Sequence, residues 1–122
     1  PSRIAIGFNG SIEGAHAVSA ALSMLTAAQS VHILTIATQK TSAEQAQRLQ
    51  KYLGWHGIRA ETHTLDSGGE SVGATLLSMV EGVAANLFVL GGYSHSRIRQ
   101  TILGGVTNHV VQHAQVPVLF SR

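Results

Sequence analysis

Between Leu90 and Gly105 the chain reads LGGYSHSRIRQTILGG. Two glycine pairs, Gly91-Gly92 and Gly104-Gly105, frame a segment rich in hydroxyl, imidazole and guanidinium groups, with Val106 and Thr107 just beyond it. Glycine lets a ligand approach the backbone closely and permits positive φ. If a helix opens at the second pair, the N–H groups of Gly104, Gly105, Val106 and Thr107 belong to its unpaired first turn, which attracts anions through those donors and the helix dipole. Ser94, His95, Ser96, Arg97 and Thr107 add side-chain donors, and Arg97 or Arg99 offers a charge-assisted contact. The chemistry suggested is phosphate binding. A loop that merely needs flexible backbone, with solvated arginines, has the same spacing, and spacing alone does not choose between the two.

Other chemistries have less to draw on. The chain has one aspartate, Asp66, and five glutamates, Glu13, Glu44, Glu61, Glu70 and Glu81. Paired-carboxylate catalysis and acidic metal clusters are correspondingly starved, and a phospho-acceptor reading fails because the first strand runs into Phe8-Asn9. No cysteine is present, which removes disulfides, thiol nucleophiles and cysteine-based zinc, and points to the cytoplasm. His109 and His113 lie four apart with no carboxylate between them, so the glutamate base of an H-E-x-x-H site is missing. No metal site is expected. A Ser-His-Asp reading lacks a placed acid, and Ser67-Gly68-Gly69-Glu70-Ser71 reads as a helix-initiating loop with Ser71 as N-cap. Tyr52 and Trp55 are expected in core or interface packing. A net charge of +2, with basic residues scattered along the chain, disfavours nucleic acid. Neither a membrane span nor a secretory signal is evident.

The elements that would position the glycine-framed segment follow from periodicity. Arg3–Phe8, Val31–Ala37, Ile58–Leu65, Leu87–Leu90 and Val116–Phe120 read as strands. Ile12–Ala28, Ser42–Leu53, Ser71–Ala85 and Val106–Ala114 read as helices with one apolar stripe each. This β-α-β-α-β-α-β-α-β alternation predicts a single α/β domain over residues 1–122: a doubly wound, five-stranded parallel sheet of order 3-2-1-4-5 with helices on both faces. Ligands of such sheets bind beyond the carboxyl ends of the strands where the order reverses, here between the first and fourth. The glycine-framed segment leaves the fourth strand at that place.

Gly91-x-x-Ser94, then nine residues, then Gly104-Gly105-Val106-Thr107, resembles the loop of the universal stress protein family. Asn9-Gly10-Ser11 after the first strand and the closing Val116-Pro117-Val118 extend the resemblance over essentially the whole chain. The wording is most similar to the second halves of tandem members. The resemblance implies a Rossmann-like fold of the adenine nucleotide alpha hydrolase type and a crevice for ATP or another adenine nucleotide, accompanied by Mg2+. Asn9 and Ile36 would border base and ribose. Gly91, Gly92, Ser94, His95, Arg97, Gly104, Gly105, Val106 and Thr107 would surround the phosphates.

The chain departs from the family's G-x-x-G-x9-G-[ST] pattern at Ser94, where a second glycine is usual, and at Gly105, where Ser or Thr is usual. Asn9 replaces the aspartate of the first-strand turn. These departures support an alternative expectation, a dimerising interaction module with a vestigial pocket. Hydrolysis is expected to be weak at most, since few carboxylates could hold magnesium or orient water. The last strand, an apolar edge, is expected to pair two domains through Val116, Val118 and Phe120, as a homodimer or as a pseudo-dimer within a tandem protein.

Overall fold

A computed structural model describes residues 2–8, 12–37, 42–66, 71–91 and 105–121. Along the chain these form β1 (Arg3–Gly7), α1 (Ile12–Ala20), α2 (Leu22–Ala27), β2 (Ser30–Ile36), α3 (Ser42–Trp55), β3 (Ala60–Leu65), α4 (Val72–Gly82), β4 (Leu87–Gly91), α5 (Gly105–His113) and β5 (Val118–Ser121). The strands build one parallel sheet of order β3-β2-β1-β4-β5, the expected doubly wound arrangement.

Alternation along the strands divides the core into two layers, because successive side chains leave opposite faces. Ile4, Ile6, Val31, Ile33, Leu87 and Val89 pack under α1, α2 and α3 with Val18, Leu25, Leu49 and Leu53. Ala5, Leu34, Ile36, Phe88 and Leu90 pack under α4 and α5 with Leu76, Val80 and Val110. The central strands are buried on both faces, which is why RIAIG and LFVL read as continuous apolar runs instead of alternating ones.

The boundaries shift where local hydrogen bonding decides them. The long helix expected over Ile12–Ala28 divides at Ala21, whose N–H is shared between the carbonyls of Ala17 and Val18 while ψ opens to 2°. The second expected helix runs through Gly54 to Trp55 and is capped at Gly57. There φ is +77°, Gly57 N–H donates to Gly54 O, Ile58 N–H donates to Leu53 O, and Ile58 and Leu53 are both buried. This is a Schellman cap, and it delays the third strand from Ile58 to Ala60. Ser71 is the N-cap of α4, its Oγ accepting from Ala74 N–H at 3.1 Å. The last strand begins at Val118; Val116 precedes it, and Pro117 ends the approach with its carbonyl accepting from Phe88 N–H. Trp55 is 79% exposed and so lies outside the core; Leu53, two residues back on the helix, takes the inward position.

Candidate functional site

The switch point lies at the carboxyl ends of β1 and β4, which are neighbours in the sheet although the chain between them makes β2 and β3. The helix after β1 packs on one face of the sheet and the helix after β4 on the other, and in sheets of this type ligands bind where the order reverses in this way. Glycine at the end of β1 leaves room for its neighbours: a Cβ at Gly7 would lie 2.9 Å from Leu90 Cδ1 and 3.1 Å from the Phe88 ring, so those side chains would have to shift. The next residue, Phe8, is tied to β2 by its N–H donating to Leu34 O at 3.1 Å.

Since β4 and β5 are parallel, the helix joining them runs back along the sheet, and its first turn lies at the carboxyl ends. Gly105 opens α5, so its N–H and those of Val106 and Thr107 have no carbonyl within the helix to bond. Val106 packs against the layer containing Leu90 and Val110. Thr107 is 3% exposed, and its Oγ1 has no hydrogen-bond partner among the described residues. It is the one buried side-chain polar atom in that condition among the described residues. A buried hydroxyl left unpaired costs on the order of 1–3 kcal/mol. A ligand oxygen would relieve that cost, and the donor set of a helix start plus a hydroxyl suits an anionic oxygen.

Of the residues singled out in the sequence, Ile36, Gly91, Gly105, Val106 and Thr107 belong to the described structure. Ile36 is buried at the end of β2, Gly91 ends β4, and the other three form the first turn of α5. Asn9, Gly92, Ser94, His95, Arg97 and Gly104 lie outside the described residues, as does Ser67–Glu70. At the sheet edge, Val116 and Val118 pack partly against the α4–α5 layer and Phe120 is 40% exposed. His109 and His113 do share a face of α5, their ring centroids 4.4 Å apart.

A second group of polar side chains was missed in the sequence. His32 on β2 lies across from Glu61 on β3, and Leu34 across from His63. His32 Nδ1 is 3.1 Å from His63 Nε2, and each of these nitrogens is 3.8 Å from Glu61 Oε1. Burial, reinforced by the nearby His63 and by Arg3, holds the His32 pKa below its ordinary value against the opposing pull of Glu61. The Glu61-x-His63 spacing on an alternating strand was the available signal, since it puts both groups on one face. Finding His32 needed the register between strands.

The described architecture defines an α/β domain of the doubly wound type whose strand order reverses between β1 and β4. The chain matches the model of the universal stress protein family over residues 2–122, and it belongs to that family. A universal stress protein of Synechocystis sp. is 28% identical over 103 residues, covering 82% of this chain; the chain spans 35% of that protein's length. Among solved structures, a universal stress protein in complex with cAMP superposes with a TM-score of 0.80 at 20% identity, over 99% of this chain and 96% of that one. A universal stress protein from Archaeoglobus fulgidus DSM 4304 gives 0.79 at 18% identity, over 99% of this chain and 44% of that one. Likenesses at such identities establish the fold.

Proposed function

We propose that this domain binds an adenine nucleotide, ATP or a related phosphate, in the crevice between β1 and β4, and acts as a regulatory module in stress response in the cytoplasm. The observation that carries this reading is the buried hydroxyl of Thr107 in the first turn of α5, which has no partner among the described residues. Backbone N–H groups there and the positive end of the helix favour a phosphate oxygen, and Thr107 Oγ1 gains the partner it lacks. Gly91 and Gly105 would let the phosphates lie close to the backbone, while Ile36 supplies an apolar wall. Asn9, Gly92, Ser94, His95, Arg97, Gly104 and Val106 complete the proposed contacts on the strength of the family motif. The solved relative with cAMP supports the ligand class.

With few carboxylates available, the domain senses or carries the nucleotide more than it turns it over, and any Mg2+ arrives with the nucleotide. Calorimetric titration with ATP, ADP, AMP and cAMP, with and without Mg2+, tests the reading, together with thermal unfolding in each ligand. Saturable binding and a raised melting temperature are expected, since ligand at a hundred times its dissociation constant adds about 2.7 kcal/mol. No shift by any of the four at millimolar concentration overturns it.

A second reading is favoured by the apolar edge strand. β5 pairs on one side only, and Phe120 on it is 40% exposed. We propose that Val116, Val118 and Phe120 join two such domains, within a homodimer or a longer tandem chain. This association is compatible with a filled crevice and with an empty one.

A further inference from the structure

The groups outside the crevice that converge most closely are His32, Glu61 and His63, on the sheet face that carries α4. Parallel pairing sets His32 opposite Glu61, and the two-residue period of β3 brings His63 up on the same face. Among the described residues this is the one set of three metal-ligating side chains whose donor atoms lie within 4.8 Å of one another. Their separations are 3.1, 3.8 and 3.8 Å. A point equidistant from three atoms so spaced lies about 2.1 Å from each, which is the bond length of zinc to imidazole nitrogen and carboxylate oxygen.

We propose that His32 Nδ1, His63 Nε2 and Glu61 Oε1 form a site for a divalent transition-metal ion of the zinc type, separate from the nucleotide crevice. The other ring nitrogen of His32 lies 3.3 Å from Ser30 Oγ. Donation of Nε2–H to that hydroxyl leaves the Nδ1 lone pair facing the centre, the arrangement that orients metal-bound histidines. Side-chain exposure rises from 9% at His32 to 35% at His63 and 71% at Glu61. The centre is thus anchored inside and open outside, and an adjoining hollow bounded by His63, Met79, Gly82 and Val83 leaves room for the ion's remaining water ligands.

With the ion slightly out of the plane of its three protein ligands, water completes a four-coordinate zinc site of the open kind. His32 is the third residue of β2 and Glu61 the second of β3, so the site lies toward the amino ends of these strands, whereas the proposed crevice lies at the carboxyl ends of β1 and β4. Without metal, His32 Nδ1 and His63 Nε2 share a hydrogen bond at 3.1 Å, with His63 the donor when His32 carries its proton on Nε2.

The test uses the untagged chain, stripped with chelator and titrated with Zn2+ and with Co2+ near pH 7.5. One equivalent of metal is expected to bind, and Co2+ is expected to give the visible absorption of a low-coordinate nitrogen–oxygen site. His63→Ala is expected to weaken binding by on the order of a hundredfold and to abolish the Co2+ spectrum. Glu61→Gln, at an exposed position that leaves folding intact, weakens it as well. A variant with His109→Ala and His113→Ala retains both affinity and spectrum. Equal binding by wild type, His63→Ala and Glu61→Gln overturns the proposal, as does loss of binding in the His109/His113 variant or no saturable binding below millimolar metal.

Discussion

A β-carbon placed on Gly73 would lie 2.9 Å from Cβ of His109. The two helices α4 and α5 therefore meet with glycine against the root of a side chain, and this contact fixes where α5 and its first turn sit. Gly73→Ala gains roughly 0.5–1 kcal/mol of helix propensity but overpacks the crossing, which typically costs about 1–3 kcal/mol. The clash involves a β-carbon that cannot swing away, so the net expectation is a loss of about 1 kcal/mol, read from urea unfolding. The same variant should weaken ATP, because Thr107 lies on the displaced helix two residues before His109.

Thr107→Val separates structural cost from binding. It removes the unpaired hydroxyl while keeping the branched shape, so the ligand-free protein is expected to gain about 1 kcal/mol. Nucleotide affinity falls in the same variant, whereas Thr107→Ser keeps it. Opposite signs for stability and affinity are the outcome to check, by denaturation and calorimetry on one preparation.

Ala84 has φ of +57°, the one non-glycine at positive φ among the described residues. Its N–H donates to Glu81 O and that of Ala85 to Val80 O, a Schellman ending with alanine where glycine is usual. The left-handed conformation costs an L-residue roughly 1–2 kcal/mol, part of which glycine returns as unfolded-state entropy. Ala84→Gly is expected to raise stability by about 0.5–1 kcal/mol, seen as a higher urea midpoint with unchanged slope.

For the metal-free protein, the lowered pKa of His32 sets a direction with pH. Burial, His63 and Arg3 disfavour its protonated form and Glu61 favours it. The unfolded chain therefore takes up a proton more readily than the folded one. The stabilisation is complete above the ordinary value of 6.5 and is lost as pH falls through the lower folded value. In chelator, the urea midpoint should drop from pH 7.5 to pH 5.5, and His32→Gln should drop less.

Phe120→Lys tests association through β5. A charge on the edge strand blocks pairing with a second copy. The wild-type chain is expected to sediment as a dimer at tens of micromolar and the variant as a monomer; a monomeric wild type removes this mode.

Much of the architecture was legible because apolar runs such as LFVL and helical stripes such as Val72, Leu76 and Val80 are set by local periodicity. Helix ends were less so. Gly54 and Gly57 look alike in sequence, and only the Leu53–Ile58 contact selects the second as the cap. At the switch point, the glycines and Thr107 could be singled out as candidate phosphate contacts from their order, but the burial of Thr107 Oγ1 depends on the α4–α5 crossing. The histidine–glutamate group was invisible for a related reason. His32 and His63 are far apart in the chain, and their meeting is decided by strand register.

The place of β1 in the middle of the sheet has a kinetic consequence. Its far-side neighbour is β4, and the hydrogen bond from Arg3 N–H to the Asn86 side chain closes a separation of 83 residues. Loops of that span are slow to close, and during synthesis β1 has only β2 and β3 to pair with until most of the chain has emerged. The exposed flank of β1 is then an unpaired edge in a nascent protein. Arrival of β4 removes that edge, and only the following α5 brings Thr107 to the switch point, so a ligand held there would reward chains only after both have docked.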